Sequence, residues 1–263
     1  MSDDTLRDWL GEPARQPSDP LRAAREASRP ALPKRFYAEA GVVEAEDGHR
    51  LVLDGRPART PGRRMVAVPQ AALAQALAQE WGAQGEVIDP SRMPLTRLVN
   101  TALDGVSAQR EAVAADIAAY AGSDLLAYRA GDPERLVASQ SAAWDPVLDW
   151  ARQALGARFT LSEGVMHVAQ PEESLAAVQR AVAAVESPLA LTGLHVLTTM
   201  TGSVLLALAV LHRHLTAEAA WEAAHVDETF QASVWGRDEE AEARRAARKA
   251  EFDAAARLVA LTA

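Results

Sequence analysis

A stretch of 24 residues, Pro188 to Leu211, contains no aspartate, glutamate, lysine or arginine. It is long enough in principle to cross a bilayer. It also holds Thr192, His195 and Thr198, whose polar groups need hydrogen-bond partners that a protein interior supplies better than lipid does. Thr201 to Ser203, with a central glycine, is typical of a break between two helices. We therefore predict a buried helical hairpin or kinked helix rather than a membrane span, and no stable membrane insertion.

The rest of the composition is that of a soluble chain able to bury such a segment. The protein has 263 residues, enough for one or two domains with a sizeable core. Its 36 acidic against 27 basic residues give a net charge of −9, which disfavours a nucleic-acid partner held through its phosphates. The chain has no cysteine, so disulfides, thiolate nucleophiles and cysteine-ligated metals are excluded.

Residues 1–33 predict a flexible N-terminal arm. Five prolines stand there among scattered charges, and the apolar surface is too small to offset the entropy of ordering. The arm lacks the apolar run of a signal peptide and is too acidic for a transit peptide. The expected location is cytoplasmic.

Residues 34–90 predict a small antiparallel β domain. Short runs with a period of two are separated by Asp47-Gly48 and Asp54-Gly55, and such dipeptides favour tight hairpin turns. The connection that follows carries four arginines, which we interpret as a solvated loop rather than a basic patch. They are Arg56, Arg59, Arg63 and Arg64.

Residues 91–263 predict a larger, all-helical C-terminal domain, so the expected fold class is α+β. One further helix precedes this region, and residues 159–168 are a weaker candidate for a short hairpin. Apart from the uncharged segment, the predicted helices are 70–84, 95–103, 107–121, 133–155, 171–186, 216–235 and 238–261.

No constellation typical of catalysis or cofactor binding stands in the sequence. There is no glycine-rich phosphate loop and no nucleophile elbow. None of the six histidines has metal-ligand spacing: His212 and His214, for example, lie about 200° apart on a helix. The hydroxyls near His195 are those of Thr198, Thr199, Thr201 and Ser203, and we expect them to bond backbone carbonyls. We predict no metal, no cofactor and no enzyme activity.

The segment from Trp221 to Arg245 is the strongest candidate for a binding surface. At 100° per residue, Trp221, Glu228 and Trp235 fall within about 40° of one another. The stripe Ala219, Ala223, Val226, Phe230 and Val234 lies on the opposite face and is the expected core face. Two tryptophans with a carboxylate between them are typical anchors of a protein interface. The alternative is a helix that is buried on both sides.

Acidic residues follow this helix immediately. Asp238, Glu239 and Glu240 would form the first turn of the last helix, where carboxylates favour the helix dipole and cap free N–H groups. One turn does not need three of them, so the surplus indicates a partner with arginine or lysine. Between Asp227 and Glu242 there are six acids and one arginine, a net charge of −5.

From Lys34 to the C terminus the chain resembles the assembly chaperones for the alpha subunit of the F-type ATP synthase catalytic sector, found in mitochondria and alphaproteobacteria. The matching blocks are KRFY at 34–37, LDGRPARTP at 53–61, EWGAQGEVIDPSRMPLTRLVNTALD at 80–104, YAGSDLLAYRA at 120–130, WDPVLDWA at 144–151 and DETFQASVWGRDEEAEARR at 227–245.

The resemblance implies a small β domain joined to a helical domain, and a chaperone without catalysis or nucleotide. Such proteins bind the unassembled alpha subunit and prevent its self-association until the beta subunit replaces them. An acidic position of the family corresponds to Glu239 or Glu240. The expected partner-binding residues are thus Glu239, Glu240, Trp235, Glu228 and Trp221, in a protein expected to be monomeric. The alternatives are an enzyme that uses histidine and carboxylates on the same fold, or a helical scaffold with an unknown partner.

Overall fold

The computed structural model describes residues 32–164, 166–236 and 238–262. The predicted arm, residues 1–33, falls outside this part of the chain except for its last two residues. The described residues form a small antiparallel sheet followed by a series of helices, so the α+β prediction is confirmed.

The sheet is built on one hairpin. Strands β1 (Ala40–Ala45) and β2 (Gly48–Leu53) pair antiparallel, with Ala45 opposite Gly48. Two short strands, β3 (Arg56–Pro57) and β4 (Ala67–Val68), also pair with β2. Asp54 and Gly55 both have positive φ, 48° and 74°, as a two-residue hairpin turn with an Asp-Gly sequence requires. The predicted Asp54-Gly55 turn is confirmed, whereas the first hairpin turns through Glu46 and Asp47, and Gly48 already belongs to β2.

Ten α-helices occur in the described residues. The first five begin and end within three residues of their predicted bounds, provided that α4 is counted together with the π-helical turn over Ala151–Leu155 that continues it. The helices are α1 (Ala71–Gly82), α2 (Pro94–Asp104), α3 (Arg110–Ala119), α4 (Glu134–Trp150), α5 (Glu172–Ala183), α6 (Pro188–Thr201), α7 (Val204–Leu211), α8 (Ala217–Ala224), α9 (Val226–Trp235) and α10 (Glu239–Thr262).

The hairpin predicted over residues 159–168 is wrong. Strand β6 (Ser162–Glu163) pairs in parallel with β5 (Tyr128–Arg129), a distant segment. The backbone N–H of Gly164 also donates to the carbonyl of Arg129, at 2.9 Å. A serine-glutamate-glycine turn signal does not specify which strand supplies the partner, and here the partner comes from outside the local sequence.

Two hydrophobic clusters form the core. One lies between the sheet, α1 and α2, and also receives Leu189 of α6 and Leu258 of α10. The other surrounds α6 and α7 and holds Trp144 and Phe252. The division of the chain at residue 90 stays a prediction, although the packing places α2 with the sheet.

The uncharged segment forms two buried helices, as predicted. Gly202 ends α6 in the left-handed conformation, with φ 68° and ψ 14°, a conformation that glycine adopts without a steric penalty. The hydroxyl of Ser203 then caps α7 by accepting from the N–H of Leu206. Across the described residues, no helix has the length and apolar character needed to span a bilayer.

A glycine lets α10 approach α6 closely. A Cβ atom at Gly193 would stand 2.7 Å from Cγ2 of Val259 and 2.9 Å from the carbonyl oxygen of Ala255. Both distances are shorter than van der Waals contact, so a larger residue would force the two helices apart. This contact fixes the C-terminal half of α10 against the core.

Asp124 holds the start of α7 in place from the neighbouring loop. Its two carboxylate oxygens accept from the backbone N–H groups of Leu126 and Leu205, each at 3.1 Å. The side chain is completely buried. Burial raises the pKa of Asp124 from 3.8 to about 6, against the lowering effect of hydrogen bonds from Ser203 and the backbone.

This raised pKa predicts a specific dependence of stability on pH. A carboxyl group whose pKa is higher in the folded state destabilises the fold when it ionises. The free energy of unfolding should therefore lose about 3 kcal/mol from this group as the pH rises from about 4 to about 6, and nothing more above that. Asp124→Asn lacks this titration, so urea unfolding of both proteins from pH 4 to 7 should show their stability difference changing in that window. A constant difference would contradict the assignment.

Candidate partner-binding groove

The helix predicted from Thr216 to Trp235 is two helices, α8 and α9, separated at His225. The imidazole Nδ1 of His225 donates to the carbonyl oxygen of Trp221 at 2.7 Å. In a continuous helix that carbonyl would accept from the backbone N–H of His225. Here that N–H instead bonds the carbonyl of Glu222, at 3.1 Å. The side chain thus competes with the helix for its own hydrogen bond, and the helix ends.

The break overturns the predicted exposed face at Trp221. This residue is only 3% exposed, and its ring lies 5.1 Å from that of Phe252 and 3.9 Å from the imidazole of His225. The predicted core face is also wrong in its second half. Val234 is 55% exposed, and no residue of α9 is buried.

Helix α9 is attached to the rest of the protein near its first turn. Oδ1 of Asp227 accepts from the side-chain amide of Gln140 on α4, at 2.7 Å. Gln140 is 2% exposed, so this bond is held in place by the core. Beyond it, α9 runs over the surface and ends at Trp235, which is 86% exposed.

Helix α10 has two halves of different character. From Glu239 to Glu251 it contains only charged residues and alanines, and none of these is buried; from Phe252 onward it supplies large apolar side chains to the core. Salt bridges hold the boundary between the halves: Glu251 lies 2.7 Å from Arg97, and Lys249 lies 2.7 Å from Glu218. The N-terminal half therefore extends beyond the core.

A groove of about 760 Å³ lies between α9 and the N-terminal half of α10. We call it the α9–α10 groove. Its volume is within the range of about 300–1,000 Å³ that binding pockets commonly have. It is lined by Trp221, Glu228, Thr229, Gln231, Ala232, Ser233, Trp235, Gly236, Asp238, Ala241, Glu242, Arg245, Ala246 and Lys249.

Gly236 sets the turn that joins the two walls of the groove. Its backbone has φ 92° and ψ 172°, a combination accessible almost only to glycine. Asp238 then begins α10, because its Oδ1 accepts from the N–H of Glu240 at 3.0 Å. At the opposite end, Nη2 of Arg245 lies 3.2 Å from the hydroxyl of Thr229 and joins α10 to α9.

The charges are unevenly distributed along the groove. We call the end of the groove beside the turn at Gly236 the connector end, and the end near Arg245 and Lys249 the core end. At the connector end Asp238 and Glu242 line the wall, beside the exposed first turn of α10. At the core end Glu228 faces Arg245 and Lys249. Burial lowers the pKa of His225, more than its bond to the Trp221 carbonyl and the nearby Glu228 raise it. The ring is therefore neutral at pH 7 and does not offset Glu228, whose Oε2 lies 3.8 Å away.

The structure brings together three of the five predicted site residues. Glu228 and Trp235 line the groove, and Trp221 lines it as a buried residue. Glu239 and Glu240 lie beside it on the tip of α10, exposed to solvent. Glu240 forms an ion pair with Arg244, one helical turn away, at 2.6 Å. Glu239 has no hydrogen bond or ion pair within the described part of the chain.

The α10 wall was not anticipated from the sequence. Ala241, Arg245 and Ala246 face α9, although none of them is an aromatic or apolar anchor. One signal was available: the absence of any large apolar residue between Glu239 and Glu251. A helical segment without such residues cannot pack into a core, so this half of the helix has to extend away from it.

The groups considered for catalysis have other arrangements. Nε2 of His195 lies 3.0 Å from Oδ2 of Asp116, a pairing that the sequence did not suggest. The hydroxyl of Thr201 donates to the carbonyl of Leu197, and that of Thr199 to the carbonyl of Val196. Within the described residues there is no group of three histidine or carboxylate side chains placed to hold a metal ion.

Comparison with known proteins gives consistent matches. The sequence profile of the ATP12 chaperone protein family matches residues 34–152. The crystal structure of Atp12 from Paracoccus denitrificans has a TM-score of 0.83 at 45% identity, over 88% of this chain and 99% of that one. A point-substituted variant of that protein has a TM-score of 0.82 at 44% identity, over 88% of this chain and 98% of that one. The crystal structure of the Atu1473 protein from Agrobacterium tumefaciens has a TM-score of 0.84 at 48% identity, over 94% of this chain and 92% of that one.

Truncation of the two tryptophans of the groove should reduce the stability of the fold to very different extents. Trp221→Ala removes a buried ring beside Phe252 and should cost about 3–5 kcal/mol of unfolding free energy. Trp235→Ala removes an exposed ring and should change stability by about 0.5 kcal/mol or less. Urea unfolding monitored by circular dichroism measures both. Equal losses would mean that Trp235 is structural.

Proposed function

Because this chain belongs to the ATP12 chaperone family, a family of ATP synthase assembly chaperones, we propose that it binds the unassembled alpha subunit of the F-type catalytic sector. In this role it prevents self-association of the alpha subunit until the beta subunit replaces it. It acts as a monomeric chaperone without catalysis. Its place of action is the bacterial cytoplasm, consistent with relatives from two bacteria.

The observation that supports this proposal best is the exposed end of α9. Trp235 is 86% exposed although it stands beside a groove with buried Trp221 at its base. Tryptophan is enriched among the few residues that dominate binding energy at protein interfaces. A large exposed aromatic ring beside a concave surface is therefore best explained by a protein partner that covers it.

The charge around Trp235 suits a partner that is held and then released. The described acids near the connector, Asp238, Glu239, Glu240 and Glu242, are exposed. Charges at the rim of an interface mainly accelerate association with an oppositely charged partner, and each contributes only modestly to final affinity. Fast capture with moderate affinity is what replacement by the beta subunit requires.

Of the two acids at the tip of α10, Glu239 is the better placed to contact the partner. Glu240 is already paired with Arg244, so a contact with the alpha subunit would compete with that bond. The carboxylate of Glu239 has no such competitor in the described residues. We propose Glu239 as the stronger contributor, with Trp235 and Glu228 as anchors of the same surface.

Reversing the charge at both positions tests the proposal. Glu239→Lys combined with Glu240→Lys should weaken binding to purified alpha subunit about tenfold, if each reversed rim charge costs about 0.5–1 kcal/mol. The loss should decrease at high salt, because exposed charges are screened. Of the single variants, Glu239→Lys should have the larger effect. Surface plasmon resonance at two salt concentrations measures these changes.

The chain offers a matched control for this experiment. Glu172 and Glu173 are adjacent, exposed acids in the first turn of α5, so their reversal costs the same helix-dipole interaction far from the groove. Glu172→Lys with Glu173→Lys should leave binding unchanged. Equal weakening by both pairs would show a general charge effect, and a large fall in thermal midpoint for the α10 pair alone would make those residues structural.

A further inference from the structure

We propose that the α9–α10 groove receives an amphipathic α-helix of the alpha subunit, with a lysine or arginine near the end that lies against the connector. This inference rests on the proposed function and adds to it the form and charge of the bound segment. Three features of the groove support the inference: the spacing of its lining residues, the hydrogen bonding of its helical backbone and the distribution of its charges.

The lining residues of α10 share one face of that helix, and those of α9 are centred on one face and flanked by polar side chains. On α9 they include Glu228, Ala232 and Trp235, and on α10 they include Ala241 and Arg245. Spacings of three and four residues place these side chains on the faces that the two helices turn toward each other. The groove is thus bounded along its length by two helical faces.

Small side chains leave the groove open between these faces. Ala232, Ala241 and Ala246 line it, where a packed helix pair would carry large apolar residues. A third helix could place its own large apolar side chains over these alanines, because helices pack at interaxial distances of about 8–10 Å depending on the residues in contact. Docking of an amphipathic helix in such a groove is a common mode of peptide recognition.

The backbone of the walls favours a helix over an extended segment as the occupant. Both walls are α-helical, so their N–H and C=O groups are largely bonded within each helix. An extended segment would find few backbone partners in the groove, and its own polar backbone groups would lose water without compensation. A helix satisfies its backbone internally and presents only side chains.

The charges of the groove specify where the bound helix carries a basic residue. At the connector end, Asp238 lines the groove beside the carboxylate of Glu239, which has no partner among the described residues. At the core end, the negative charge of Glu228 is accompanied by Arg245, and Lys249 there is already paired with Glu218 and Asp253. The connector end is therefore the more negative, and a basic residue of the partner is stabilised there.

Filling the groove tests the inference with a matched pair of variants. Ala246 lines the groove, whereas Ala247 is exposed on the same helix and does not line it. Ala246→Trp should weaken binding to the purified alpha subunit at least tenfold, because the indole occupies the space of the bound helix. Ala247→Trp should bind like the wild type. Both substitutions are at exposed positions, so the thermal midpoints should remain within a few degrees of the wild type.

A photo-crosslinker identifies what occupies the groove. Benzoylphenylalanine at position 241 of the full chain should crosslink to a segment of the alpha subunit that is helical, has apolar residues three and four apart, and carries a lysine or arginine. The same crosslinker at position 247 should yield no such product. Mass spectrometry of the crosslinked peptides distinguishes these cases.

Each other outcome overturns a defined part of the account. Wild-type chain that does not bind the alpha subunit overturns the proposed function and this inference with it. Wild-type binding that Ala246→Trp leaves intact overturns the groove alone. Crosslinks to an extended segment, a loop or a second copy of this chain overturn the helical occupant.

Discussion

The fold depends on the burial of an uncharged helical hairpin, α6 and α7. Its sharp reversal requires the left-handed backbone of Gly202, and the first backbone N–H groups of α7 donate hydrogen bonds to buried Asp124 and Ser203. These polar groups offset the desolvation of the helix ends. The hairpin then provides the surface at Gly193 on which the C-terminal half of α10 packs, and so fixes the direction of the last helix.

That direction accounts for the α9–α10 groove. Because α10 supplies large apolar side chains to the core only from Phe252 onward, its first half extends from the core as one wall of the groove, opposite α9. Neither wall buries large apolar residues of its own there, which reduces the stability of the isolated segment but leaves a concave face available. A chaperone needs such a face, since the surface it shields on a client must be covered and later uncovered.

Much of this was predictable from local sequence, and the rest depended on tertiary contacts. The Asp54-Gly55 turn and the break at residue 202 were predictable because glycine adopts a backbone with positive φ without steric strain. The end of α8 was not, since periodicity cannot show that the imidazole of His225 takes the carbonyl of Trp221. The break separates Trp221, which is buried on α8, from Trp235, which is exposed on α9. The pairing of His195 with Asp116, 79 residues apart, was equally beyond local patterns.

Amide hydrogen exchange of the full chain, with and without purified alpha subunit, tests the central claim most directly. The account predicts slower exchange along α9 and the N-terminal half of α10, residues 226–251, when the alpha subunit is bound. Helix α5, Glu172–Ala183, should exchange at the same rate in both samples. Protection elsewhere, for example along β1, with no change over residues 226–251 would contradict the account.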